Sequence, residues 1–247
     1  MDRSCSAATQ PKDGRFYEVM GWIAIAIAIA GFAPGMIEID VRNGPMTLAL
    51  AGHGAAFFAW LILFITQVKL YSKGRLTLHR LLGRAGVVLA IVMIVSGYFT
   101  AITMVRRGYD LSGDLAATAE EARIVLAFQL GDILAFGVLV TLAVCYRRNP
   151  ETHKRLMLLA TLGTLMPAAL AHVIGHSPFL REIEAPIVLI PYTALLFANA
   201  VYDWLARGRI HAVSLWGAIA VWLWANIRAV LVVPSQHWHD FAEWLCN

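Results

Sequence analysis

The feature that most constrains this chain is the recurrence of long apolar stretches along nearly all of its 247 residues. Crossing ~30 Å of hydrocarbon takes about 20 helical residues. Stretches of that length run at 17–37, 46–69, 81–104, 123–146, 156–176, 185–205 and 212–233. Inside a bilayer every backbone N–H and C=O must be satisfied within the protein, and unbroken stretches of this length do so as helices. The expected fold is therefore an all-α membrane protein of seven transmembrane helices. Only 15% of the residues are charged, against roughly 25% in soluble domains. Little chain is left over for a soluble domain, so residues 1–247 read as a single integral membrane domain.

Orientation follows from the cations, because Lys and Arg accumulate on the cytoplasmic side. One set of segments carries Arg3, Lys12, Arg15, Lys69, Lys73, Arg75, Arg80, Arg84, Arg147, Arg148, Lys154, Arg155, Arg207 and Arg209, fourteen in all. The opposite set carries five, namely Arg42, Arg106, Arg107, Arg123 and Arg181, and Arg228 falls within the last span. The N-terminus is thus expected inside and the C-terminus outside. The net charge of +4 is then a consequence of topology, and nucleic acid is not an expected partner. The first span has a basic start and an Ala28-Ile29-Ala30 pattern like a cleavage site, but the apolar run continues through Pro34, so a retained span is expected rather than a signal peptide. Cys5 and Cys145 fall inside and Cys246 outside, which leaves no disulfide framework.

Two cytoplasmic turns resemble each other. After span two the chain reads Tyr71 to Leu82 with His79-Arg80 opening span three; after span four it reads Tyr146 to Met157 with His153-Lys154-Arg155 opening span five. A repeat of two helical hairpins is one reading, with sites at the repeat interface; general pressure for basic interfacial turns is the other. Pro167 and Pro191 are expected to kink their helices. Residues 236–245 place apolar groups at helical spacing and read as an amphipathic helix on the outer surface.

The candidate chemistry lies in the eight histidines, since ionisable groups at membrane depth are costly and tend to be functional. His79 and His153 share the inner level. His53 lies in span two below the outer end, and His172 and His176 lie one turn apart at the outer end of span five. In one reading His79 pairs with His153, and His53 with His172, as axial ligands of haem b. Arg80, Arg84, Lys154 and Arg155 would then meet propionates. In the other, His53, His172 and His176 hold a zinc ion with one open position, with Asp132 beside it as an outer ligand partner or general base. The plainer alternatives are phosphate contacts for His79 and His153, water-facing imidazoles for His172 and His176, and a structural hydrogen-bonded role for Asp132 and Arg228.

The layout Gly52-His53-Gly54 in span two, Leu78-His79-Arg80-Leu81-Leu82-Gly83 opening span three and His153 opening span five resembles cytochrome b561-type proteins over residues 46–176. His153-Lys154-Arg155-Leu156-Met157 is also similar to a run in uncharacterised bacterial membrane proteins. The resemblance implies a four-helix core of spans two to five, with histidines pairing span two with span four and span three with span five. It carries over His79, His153 and His53. Span four offers Phe128, Gln129 and Asp132 but no histidine, so His172 would have to substitute.

The expected function is a b-type cytochrome-like redox protein of the bacterial cytoplasmic membrane, passing electrons between a quinol or other reductant and an acceptor. The alternatives are a zinc-dependent intramembrane hydrolase and a non-catalytic subunit of a larger membrane complex. Membrane lipids are expected partners throughout. Reporter fusions are expected to place the turns at 70–80 and 147–155 in the cytoplasm and residues 106–121 outside. Labelling of 106–121 only after cell lysis would invert the orientation.

Overall fold

A computed structural model describes residues 10–37, 44–113, 118–177 and 186–246; Arg3, Cys5, Arg42 and Arg181 lie outside them. Among the described residues the structure is helical, with no strand. Helices α1 (Gln10–Ile37), α2 (Leu48–Ser72), α3 (Leu76–Val105), α4 (Ala119–Cys145) and α5 (Pro150–Gly175) are followed by α6 (Pro186–Arg207), α7 (Val213–Val232) and α8 (Gln236–Cys246). Six helices, α1 to α5 and α7, are long and apolar enough to cross a membrane. Helix α6 coincides with the sixth expected stretch. The first and last five residues of α7 are wound as π-helix.

Local sequence sets the helix ends. Thr47 and Asn149 accept from the third backbone N–H of α2 and α5, and Pro150 occupies the first turn of α5, where its missing N–H costs nothing. Thr118 and Glu121 form a reciprocal capping box at α4. Gly74, at φ +70°, turns the chain between α2 and α3.

Helices α2 to α5 pack neighbour on neighbour, and α1 closes the set by packing on both α2 and α5. Helix α6 lies against α5, and α7 touches α4, α5 and α6. Helix α5 is the most interior: 61% of its most apolar stretch is buried, against 17–39% in the other five spans. Small residues allow this. Gly163 lies where an added Cβ would meet Leu196 of α6 at 2.9 Å and Val221 of α7 at 3.1 Å. Helix α5 continues through Pro167, whose ring nitrogen cannot bond the carbonyl of Gly163 four residues earlier. Tyr192 of α6 donates to that carbonyl at 3.1 Å, so a neighbouring helix satisfies the group that the proline orphans.

At the basic end a charged cluster ties α1, α5, α6 and α7 together. Arg155, Asp203 and Ser214 are fully buried. The Arg155 guanidinium pairs with the Asp203 carboxylate, and its Nε donates to Asp203 and to Ser214 at 3.0 Å. Its Nη1 donates to the Glu151 carboxylate and carbonyl at 2.8 Å. Around this core Lys154 bonds Asp13 (2.9 Å) and Glu151 (2.7 Å), and Arg207 bonds Glu151 (2.5 Å) and Asp13. Three cations and three carboxylates balance. His211, in the loop before α7, accepts at Nδ1 from Val213 N–H at 3.2 Å, and burial holds its pKa below the ordinary histidine value, consistent with a neutral ring. Arg155 therefore serves helix packing, not the propionate contact expected from its place beside His153.

Opposite this end, α8 docks on α3 and α4: Trp238 Nε1 donates to the Arg123 carbonyl at 3.2 Å and Arg106 to the Leu245 carbonyl at 3.2 Å. Trp244 remains 72% exposed, as an interfacial anchor should be.

Breaking a buried pair strands a charge and costs about 3–5 kcal/mol, whereas replacing both partners by apolar groups is often neutral. Asp203→Ala is expected to lower the thermal unfolding midpoint in detergent sharply, and the double variant Arg155→Met/Asp203→Leu to restore most of it. A double variant as unstable as the single one would show that the cluster's stabilisation is not of this kind.

Candidate functional site

Two cavities occupy the two ends of the bundle, and each contains two of the singled-out histidines. The cavity at the basic end measures about 1010 Å³ and is lined by His79 of α3 and His153 of α5, with Gln67, Arg80, Arg84, Arg147, Arg148 and Lys154 on its wall. His153 Nδ1 lies 2.7 Å from the carbonyl of Ala143. A carbonyl can only accept, so Nδ1 carries the proton and the lone pair of the neutral ring sits on Nε2, the arrangement found where a carbonyl bonds the far nitrogen of a metal-bound histidine. Gln67 Nε2 donates to the His79 carbonyl at 3.1 Å, while Gln67 Oε1 and His79 Nδ1 are buried with no hydrogen-bond partner. Two imidazoles from different helices, an orphaned ring nitrogen and a cationic rim fit a haem in this space. Of the four expected propionate partners, Arg80 and Arg84 line the cavity; Lys154 lines it but is engaged by Asp13 and Glu151; Arg155 is not among the lining residues.

The cavity at the far end measures about 510 Å³ and is almost wholly apolar, with His53 of α2 and His172 of α5 both on its wall. His53 Nδ1 lies 3.0 Å from Ser96 Oγ. His172 is buried, its Nδ1 bonded to the Ala168 carbonyl at 2.7 Å, with the Phe32 ring 4.6 Å away between centroids. The His172 and His176 rings are 6.0 Å apart. Among the described residues no three His, Cys, Asp or Glu side chains are grouped closely enough to hold a metal ion, so His53, His172 and His176 do not form the expected zinc triad. Its expected companion Asp132 instead pairs with Arg228 of α7 at 2.6 Å.

That ion pair is the main feature of the wall that the sequence does not assemble, although Asp132 and Arg228 both stand out as charges within spans. Arg228 also donates to the Phe128 carbonyl at 2.5 Å and the Trp224 carbonyl at 3.3 Å, and its guanidinium lies 5.6 and 5.4 Å from the Phe128 and Trp224 ring centres. Trp224 Nε1 returns a bond to the Gly131 carbonyl at 2.9 Å. A Cβ on Gly131 would run into Arg228 Cδ and Nη1, so this glycine makes room for the guanidinium. Two opposite charges in spans otherwise nearly free of them were the available signal.

An aromatic partition separates the cavities. Trp60, on the wall of the larger, packs edge-on against Phe136, on the wall of the smaller, at 5.0 Å, and its Nε1 donates to Thr161 of α5 at 3.2 Å.

No protein-family model, curated protein or solved structure matches the chain. Its site is therefore read from its own residues.

Alanine normally stabilises a helix relative to glycine by roughly 0.5–1 kcal/mol. Gly131→Ala is expected to reverse that sign and lower the unfolding midpoint, because Arg228 must move. Gly137→Ala, whose added methyl would meet only the end of the Ile94 side chain at 3.3 Å, is expected to be neutral or stabilising. Equal effects at the two positions would contradict the fitted Arg228 site.

Proposed function

We propose that the chain is a b-type cytochrome-like redox protein of the bacterial cytoplasmic membrane, crossing it seven times with the N-terminus inside and the C-terminus outside. In this reading α2 to α5 form the redox core, as in the cytochrome b561-type proteins that residues 46–176 resemble. The observation that carries it is that His79 and His153, from helices on opposite sides of α4, line one roomy cavity at the cation-rich end.

His79 and His153 would hold the haem, which supplies one-electron chemistry when bound. The chain's own residues prepare the site. The Ala143 carbonyl fixes the His153 tautomer with Nε2 as the ligand atom. Arg80 and Arg84 bring positive charge suited to carboxylates, while the cluster around Arg155 anchors the first turn of α5 that carries His153. Trp60 and Phe136 keep the wall behind the site apolar and dry. An electron acceptor or donor would approach from the cytoplasmic face.

A second haem between His53 and His172 has less support, since that cavity has half the volume and an ion pair in its wall. The zinc hydrolase has less again, without a three-ligand group among the described residues. No specific observation favours a purely accessory subunit.

The test is the haem content and reduced-minus-oxidised spectrum of protein produced with haem precursor. One haem per chain is expected in the wild type, lost in His79→Ala and in His153→Ala but kept in His53→Ala. Wild-type protein without haem, or haem unaffected by both inner substitutions, would overturn the reading.

A further inference from the structure

The smaller cavity offers hydrogen-bond acceptors that the protein leaves unused. Several of its donors are engaged by the protein: Arg228 gives a bond from each of its three nitrogens, Asn226 Nδ2 donates to the Trp222 carbonyl at 2.8 Å, Tyr192 to Gly163, and Thr164 to the Ala160 carbonyl at 2.6 Å. Its acceptors are less fully used. The Asp132 side chain stays 16% accessible while that of its partner Arg228 is 4% accessible, so the carboxylate is the part of the pair that a guest can reach. One turn earlier on the same wall, Gln129 carries Oε1 buried with no hydrogen-bond partner. His53, His172, Asp110 and Ser112 also line the cavity, and most of the remaining wall is hydrocarbon and aromatic surface, including Phe32, Phe57, Phe58 and Phe136.

A guest matched to this wall has an apolar body and a head that donates hydrogen bonds. The head should be uncharged. Arg228 already neutralises Asp132, so a second cation would be desolvated at membrane depth with no uncompensated charge to meet. An anion would be desolvated in the same way, with no uncompensated charge to meet. A neutral hydroxyl can donate to Asp132 without either penalty, and hydrogen bonds to charged acceptors are the stronger kind.

We infer that the cavity between α2, α4, α5 and α7 is a binding site for a neutral, lipophilic hydroxyl compound, with its head on Asp132 and Gln129 and its body against the phenylalanines. The bilayer offers two sources of this chemistry, hydroquinones and long-chain or polycyclic alcohols. The inference stands independently of the haem reading, because it uses none of the residues of the basic-end cavity.

The test is equilibrium binding of tritiated probes to the full chain in phosphatidylcholine nanodiscs, corrected for partitioning into empty discs. The probes are dodecyl-hydroquinone, dodecanol, the dimethyl ether of the hydroquinone, and dodecylamine. Saturable binding is expected for one or both hydroxyl probes, and whichever binds tighter identifies the source. The ether, with the same body and no donor, is expected to bind at least tenfold more weakly than the hydroquinone, and the amine more weakly than the alcohol. Gln129→Leu removes an acceptor that has no internal partner, so the protein should fold with an unchanged midpoint while its hydroxyl-probe affinity falls about tenfold. Asp132→Asn should lower affinity further, and Gln129→Leu keeps the test decisive if that variant does not fold. No saturable binding, an ether as tight as the hydroquinone, an amine tighter than the alcohol, or unchanged affinity in Gln129→Leu would each overturn the proposal. So would a second haem per chain that depends on both His53 and His172, since it would fill the same space.

Discussion

The structure depends on one buried guanidinium. Arg155 sits in the first turns of the most interior helix, and its bonds to Asp203, Ser214 and Glu151 hold α6 and α7 against α5. In a bilayer the hydrophobic effect does not drive helix against helix, because lipid tails are as apolar as leucine, so polar contacts and close packing of small residues take over. The chain uses both. Charged groups clamp the basic end, Gly163 and the threonines of α5 allow close approach in the middle, and Asp132 with Arg228 joins α4 to α7 towards the far end. Tyr192 belongs to the same scheme, since it repairs the backbone that Pro167 leaves open.

Because α5 is fixed in this way, it can present His153 to one cavity and His172 to the other, with the Trp60–Phe136 contact between them. The two spaces differ in kind. The larger is rimmed by cations at the end where the chain concentrates them, and contains polar atoms that the protein leaves unsatisfied. The smaller is largely apolar, with the charge of Asp132 and Arg228 neutralised internally and an acceptor on Gln129 left unsatisfied. One fold thus separates a roomy, cation-rimmed cavity from a smaller, largely apolar one.

The helices were legible because a bilayer imposes a length and a composition that no single residue can disguise; expected and observed helices coincide closely, from 46–69 against Leu48–Ser72 to 212–233 against Val213–Val232, and six of them are long and apolar enough to cross a membrane. His79 and His153 line one cavity and His53 and His172 the other, at the levels their places in the spans imply. Arg155 lies only two residues from a candidate ligand, which suggests a shared site that the helix does not give. Two residues along a helix is about 200° around it, at 3.6 residues per turn, so a helix that turns His153 towards one cavity must turn Arg155 away from it. The Asp132–Arg228 pair was not legible, since nothing in the order of spans says that α7 lies beside α4. The zinc triad failed for a related reason: equal depth does not bring three rings to one point.

The central claim is that His79 and His153 converge on one haem iron. Low-temperature electron paramagnetic resonance of the oxidised protein tests it most directly. The account expects a single low-spin ferric signal of the two-imidazole type in the wild type, absent from both His79→Ala and His153→Ala. A high-spin signal in the wild type, or a low-spin signal that survives loss of either histidine, would contradict it.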